Sequence, residues 1–298
     1  MNVLLTVFNR PDVTAHVVSR IKETGPSRLY VFADGPRENI ALDRHKCTRV
    51  QDIVLRETAH LNRRLRFEET NLGPLYAIKS ALDWFFTQEE EGIVIEDDCL
   101  PDISFFPFCQ ELLERYRRTQ DVFMISGSNF LTHFAGSTSY IFSRLALVWG
   151  WATWKRSWQE FDVNMKAWLD YSATDDLAYF GEWQNLVYSL VHKQYLDPRS
   201  RTWGVVWRAA FLANHALSIV PRNNLVRNIG FGHPDATRHK EYHRVCRLPV
   251  KPMWGPLIHP QEITPVREFD QRSLRFYYGR NRNPMTRWGG APLPSRLD

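Results

Sequence analysis

A chain of 298 residues, 44% hydrophobic and 24% charged, is long enough to bury a full core, and its ordinary composition excludes a collagen-like, low-complexity or disordered protein. The net charge of +5 is uneven: Pro221 to Asp298 holds 14 Lys/Arg against 6 Asp/Glu, and residues 1–220 are net negative. A basic last quarter suits a phosphate-bearing ligand or an anionic membrane surface. No helix-turn-helix, zinc-finger or RNA-binding signature accompanies it, so no nucleic-acid partner is expected. Cys47, Cys99, Cys109 and Cys246 show no CxxC spacing and read as free thiols of a reducing compartment. No run of about 18 apolar residues predicts a membrane span. The expected location is cytoplasmic, with peripheral contact to the inner membrane face through the basic tail.

The first apolar run, residues 2–8, predicts a buried parallel strand. A helix follows from Pro11-Asp12 to Gly25-Pro26, with Val13, Val17, Val18 and Ile21 on one face. RLYVFADG (28–35) reads as a second strand and 38–60 as a charged helix. RLRFEE is a short strand, and Asn71-Leu72-Gly73-Pro74 opens a helix carrying Ile78, Ala81, Leu82 and Phe85. GIVI (92–95) is the next strand, 101–118 a helix, and 121–130 a strand running into a loop. Alternating strands and helices predict a doubly wound, mostly parallel α/β sheet, whose ligands bind at the C-terminal strand ends. Asn9-Arg10, Asp34, Asn71 and Glu96-Asp97-Asp98 all fall at that edge.

After residue 135 the character changes. Five Trp fall within 148–168: Trp149, Trp151, Trp154, Trp158 and Trp168. Trp rings stack on sugar faces or fill cores. Helical segments are expected at 175–194 and 203–214, a strand at LSIV and a loop at NIGFGHPDATRH. From about 245 Pro, Arg and Gly accumulate, which predicts a loosely structured tail. The expected division is a first α/β half (1–135), a Trp-rich second half (136–245) and a basic extension (246–298).

Three adjacent acids closing a buried strand repel one another unless a cation joins them. A divalent cation that also touches a diphosphate would do so. The stretch EGIVIEDDCLPDISFFPFCQELLERY resembles the Glu-Asp-Asp segment of N-acetylglucosaminyltransferase I, a GT-A glycosyltransferase. It is closer still to the bacterial haemolytic-protein-like glycosyltransferases, with which the chain shares ADGP (33–36), NLG (71–73), WGWATW (149–154) and NLVRNIGFG (224–232). The resemblance spans about residues 1–260. It implies a GT-A fold, a Rossmann-like mostly parallel sheet flanked by helices with an acceptor-side subregion. It also implies a metal-dependent hexosyl- or N-acetylhexosaminyl-transferase, inverting by family, with a UDP-sugar donor and Mn²⁺ or Mg²⁺, in which 1–135 is the nucleotide-sugar half and 136–245 the acceptor and lid half. The acceptor would be a saccharide, a lipid-linked sugar or a small natural product.

Carried over by position, the resemblance implies that Asn9 and Arg10 approach the nucleotide and Asp34 contacts base or ribose. Asn71 would join them or simply make a turn. Glu96 and Asp97 would border ribose and phosphates, and Asp98 would ligate the metal. Trp149, Trp154 and Trp203 would line the donor and acceptor groove. Thr237, Arg238 and His239 would close over the diphosphate, with His239 a metal ligand or a phosphate contact. The relatives place an Asp after the Trp of a TWD-like segment as general base; here RTWGVVW has Gly204. Asp197 is the leading replacement, with Glu182 and Asp175 as others; an acceptor that needs little deprotonation, or a retaining mechanism, stays open. Two alternatives stay open: a non-catalytic sugar-nucleotide or glycan binder, and a sugar nucleotidyltransferase, which usually carries a Gly-rich basic loop that NRPDVTAH lacks.

Overall fold

The computed structural model describes residues 1–131, 134, 136–236 and 243–279. In chain order the elements are β1 (Asn2–Val7), α1 (Pro11–Thr24), β2 (Arg28–Ala33), α2 (Ala41–Glu57), β3 (Arg63–Phe67), α3 (Gly73–Phe86), β4 (Glu91–Glu96), β5 (Cys99–Pro101), α4 (Phe105–Tyr116) and β6 (Val122–Ser126). There follow β7 (Tyr140–Ser143), β8 (Trp151–Trp154), α5 (Lys155–Trp158), α6 (Ala167–Ser172), α7 (Gln184–Leu196), α8 (Trp203–Ala213), β9 (Leu217–Pro221), β10 (Val226–Asn228) and α9 (Arg267–Tyr278).

Eight strands form one sheet in the order β3-β2-β1-β4-β8-β6-β9-β7. β3, β2, β1 and β4 run parallel, as do β6 and β9, while β8 and β7 are antiparallel to their neighbours. This is the expected mostly parallel, Rossmann-like α/β sheet flanked by helices. The apolar strand runs are explained by two covered faces. Val3, Leu5, Val7, Val31 and Ile95 enter one core with Val17 of α1, Val50 of α2 and Phe105 of α4. Leu4, Tyr30, Phe32 and Val94, one residue out of phase, enter the other with α3 and α8.

Several sequence expectations shift. WATW, grouped with a sugar-binding aromatic block, is β8, wedged between β4 and β6. The helix expected from 101 starts at Phe105, because Pro101 pairs in β5 and Asp102 accepts from the Ser104 N–H at 2.8 Å. The helix expected over 175–194 is a 3₁₀ stretch, Asp175–Trp183, broken at Gly181 (φ 58°, ψ −129°) before α7 begins. The final region is not wholly irregular. α9 buries Phe269, Asp270, Ser273 and Leu274, and Asp270 accepts from Ser143 Oγ (2.5 Å), Tyr179 Oη (2.8 Å) and the Arg144 N–H (2.9 Å). All four cysteines are free. Among the described residues no helix is long and apolar enough to cross a membrane.

Candidate donor site

In the sheet order the chain moves outward from β1 to β2 and β3, then returns to place β4 on the other side of β1. The C-terminal ends of β1 and β4 therefore flank a topological switch point, where open α/β sheets leave a crevice. Arg10 leaves β1 and the three acids leave β4. Arg10 is pinned because Pro11 starts α1 and the Arg10 carbonyl accepts from Thr14 N (3.0 Å) and Thr14 Oγ1 (2.7 Å). Its guanidinium reaches across the crevice to Asp98 Oδ2 at 2.9 Å and also pairs with Asp97. Burial opposes its charge, but the two carboxylates raise its pKa and keep it ionised.

The crevice opens into a cavity of about 340 Å³ lined by Asn9, Arg10, Asp34, Asn71, Trp149 and Trp203, with Glu96, Asp97 and Asp98 on its floor. Asn9 is buried and donates to Asp43 Oδ1 of α2 at 2.8 Å. Asp34 accepts from the backbone N–H groups of Gly35 (2.9 Å) and Leu72 (2.8 Å) and from Asn71 Nδ2 (2.8 Å). Asn71 is thus both a turn residue and a wall of the cavity. Burial raises the Asp34 pKa against these donors. Burial also raises Asp97, with Arg10 opposing and Asp98 adding to the rise. Glu96, held by burial and by Asp98 and Asp97, is pushed up to about 8, with Arg10 and a hydrogen bond from Trp203 working the other way.

The far wall comes from the antiparallel ribbon of β5 and β10, in which Cys99 faces Asn228. The Ile229 N–H donates to the Asp98 carbonyl at 2.7 Å, and the Gly230 N–H to Asn228 Oδ1 at 2.9 Å. Gly230 packs so closely that a Cβ there would collide with Asp98 Oδ2 and lie 2.6 Å from Arg10 Nη1. The loop then crosses the mouth of the cavity. His233 Nε2 sits 3.2 Å from Asp12 of α1, and Asp235 holds Lys46 of α2 at 2.6 and 2.7 Å. Thr237, Arg238 and His239 lie outside the described residues.

Two expected site residues are placed elsewhere. Trp154 is buried against α4, with Nε1 donating to the Leu113 carbonyl at 3.2 Å, so it is core. Asp197 caps an exposed 3₁₀ turn, accepting from the Arg199 N–H at 3.2 Å, and does not line the cavity. The cavity adds Arg37, Thr202 and Asp235, which sequence reasoning missed. Arg37 follows the ADGP turn, and Thr202 directly precedes Trp203, so proximity to two motifs was the available signal.

Among the described residues no group of three His, Cys, Asp or Glu side chains is placed to hold a metal unaided. Asp97 Oδ2 is nevertheless buried with no hydrogen-bond partner. Carboxylate oxygens without imidazole or thiolate fit a hard divalent cation whose shell is completed by phosphate oxygens of a ligand. They do not make a self-sufficient metal cage.

No protein-family model matches the chain, and no curated protein matches it in sequence. Among solved structures, the crystal structure of UDP-glucose pyrophosphorylase complexed with UDP-glucose is similar at 8% identity. The match covers 77% of this chain and 94% of that one, with a TM-score of 0.38. That likeness is too remote to carry any of the functional argument.

Proposed function

We propose that the chain is a glycosyltransferase of GT-A type that binds a nucleoside-diphosphate sugar, a UDP-sugar, in the switch-point cavity. The observation that carries this reading is Arg10 bridged to Asp97 and Asp98 at that crevice, facing Asp34 and Asn71 across it. Asp34 and Asn71 Oδ1 offer acceptors to base or ribose, since Asn71 Nδ2 already donates to Asp34 and to the Gly35 carbonyl. Arg10 presents a fixed positive charge where a diphosphate would lie. Asp98, with the partnerless oxygen of Asp97, would hold Mn²⁺ or Mg²⁺ arriving with the donor; the ion would neutralise charge on the leaving diphosphate. The loop from Ile229 to Ala236, tied to α1 and α2, would keep water from the reacting centre.

In the reaction an acceptor hydroxyl oxygen bonds to the anomeric carbon as the bond to the diphosphate breaks. The electron pair leaves with the diphosphate, which also takes up the hydroxyl proton as it departs. One observation favours the reading of a non-catalytic sugar-nucleotide binder: Gly204 lines the cavity where the related enzymes carry a carboxylate, and Asp197 does not replace it. Turnover separates the two readings.

Thermal shift with UDP and UDP-sugars, with and without Mn²⁺, tests the donor site. A ligand at a hundred times its dissociation constant stabilises by about 2.7 kcal/mol. A Mn²⁺-dependent shift that Asp98→Ala abolishes is expected. No shift with any nucleotide, with or without metal, would overturn the reading.

A further inference from the structure

A second cavity, of about 310 Å³, adjoins the first and shares Val148, Trp149, Thr202 and Gly204 with it. It lies among α7, α8, α9 and the segment 144–149. Its walls are apolar and aromatic: Leu147, Phe180, Leu190, Leu274 and Tyr277. Among the described residues no Asp or Glu lines it.

Among the described residues two polar groups in this wall have neither a hydrogen bond nor an ion pair. Arg208 is half-buried on α8 and makes no hydrogen bond or ion pair among the described residues. Ser273 of α9 is fully buried, and its Oγ has no hydrogen-bond partner. A guanidinium drawn into an apolar wall without a carboxylate is costly unless an anion completes it. The other cation of the cavity, Arg144, is already engaged, stacked on Tyr179 at 4.8 Å with Nη2 3.1 Å from His215 Nδ1. Gly204 and Arg208 are four residues apart on α8 and so share one helix face. Along the helix axis the backbone of Arg208 therefore stands about 6 Å from that of the glycine that borders the donor cavity.

We propose that this second cavity is the acceptor site, and that it takes an amphiphilic small molecule with an apolar body and one anionic group, carboxylate or phosphate, held by Arg208. This rests on the donor reading above. The apolar body packs on Leu190, Leu274 and Tyr277. Ser273, Thr202 and Gln194 add polar side chains to the wall. The reacting hydroxyl is directed past Gly204 toward the donor, with Trp149 forming the wall between the two ligands.

Octanoate, octyl phosphate and octanol serve as probes, below their micelle concentrations, with binding read by calorimetry on wild type, Arg208→Gln, Arg208→Lys and Leu190→Trp. Wild type is expected to bind both anions saturably at one site, about tenfold or more tighter than octanol. Arg208→Gln should erase that preference, Arg208→Lys should keep most of it, and Leu190→Trp should abolish binding of all three by filling the cavity. A preference for octyl phosphate points to a lipid-phosphate acceptor, and one for octanoate to a free organic acid. Wild type that binds neither anion, or an Arg208→Gln variant that keeps the anion preference, overturns the proposal. The UDP shift is measured on the same samples. Anion binding without a UDP shift overturns the donor reading and with it the acceptor role, leaving an anion-binding cavity; a UDP shift without anion binding overturns this proposal alone.

Discussion

Replacing Arg10 by Ala removes the cation that holds the β1 and β4 strand ends together. Its side chain is 15% exposed, and those of Asp97 and Asp98 are 6% and 14% exposed, so solvent screens these pairs little. Removing one partner of a buried pair costs about 3–5 kcal/mol, because the remaining charge is left without compensation. Here two carboxylates lose their partner at once, beside a third, Glu96. For a chain of this size each kcal/mol moves the melting temperature by roughly 2 °C, so a fall of about 6–10 °C is expected. Urea unfolding should show a lower midpoint at an unchanged m-value, since the surface exposed on unfolding is the same. Arg10→Lys should fall between, because one ammonium cannot span two carboxylates as a planar fork does. Mn²⁺ should stabilise Arg10→Ala more than wild type, as the ion meets carboxylates freed of their guanidinium. An Arg10→Ala protein within about 1 kcal/mol of wild type would refute the reasoning, since the cost of an uncompensated buried pair would then be missing.

Gly230→Ala should abolish the nucleotide-induced thermal shift while costing only about 1–3 kcal/mol of stability, because its Cβ collides with Asp98 at the site rather than in the core. Gly204→Asp should raise stability by about 0.5–1 kcal/mol: among the described residues the only atom near its Cβ is Val148 Cγ2 at 4.0 Å, and an acid suits the first turn of α8. In a transfer assay with an accepted donor and acceptor, the same variant should turn over faster than wild type, and a slower one would show that the carboxylate is not wanted there. Asp270, buried on α9, has its pKa raised from 3.8 to about 6 by burial, against hydrogen bonds from Ser143, Arg144 and Tyr179. A raised carboxylate favours folding below its unfolded value and loses that contribution as pH rises through its folded value. The full penalty is about 3 kcal/mol, and roughly half of it develops between pH 5 and 8. Asp270→Asn should therefore gain on wild type in melting temperature as pH goes from 5 to 8; parallel curves would remove this account.

The first half of the fold was legible because each strand there is a short apolar run buried on both faces, and each helix shows one apolar stripe. Val3, Leu5 and Val7 alternate with Leu4 between two cores, which an uninterrupted apolar run implies without showing the phase. The edge residues Asn9, Arg10, Asp34, Asn71 and Glu96 to Asp98 could be placed because strand ends are visible in sequence. What pairs with what was not. The salt bridges of Arg10 need β1 beside β4, and the contact of Gly230 needs the β5–β10 ribbon, two strands of three residues each. Trp154 looked like Trp149 because both belong to one aromatic stretch; strand parity sends Trp154 beneath α4 and leaves Trp149 at the cavities. α9 escaped notice because its core contacts, Phe269, Ser273 and Leu274, are few among charged neighbours.

The β5–β10 ribbon also sets an order of events during synthesis. It joins Cys99–Pro101 to Val226–Asn228, segments separated by more than a third of the chain, and contacts of that separation form late because closing the intervening loop must come first. β1, β2 and β3 can pair as soon as they emerge, since Asn2 meets Arg28 and Leu29 meets Arg63, and β4 joins once Ile93 reaches Val3. The acids are then in place with one wall of their cavity absent, until residues 226–236 arrive. A nascent or truncated chain ending before β10 would hold a largely formed parallel sheet and no closed nucleotide cavity, so competence to bind is the last property the folding chain acquires.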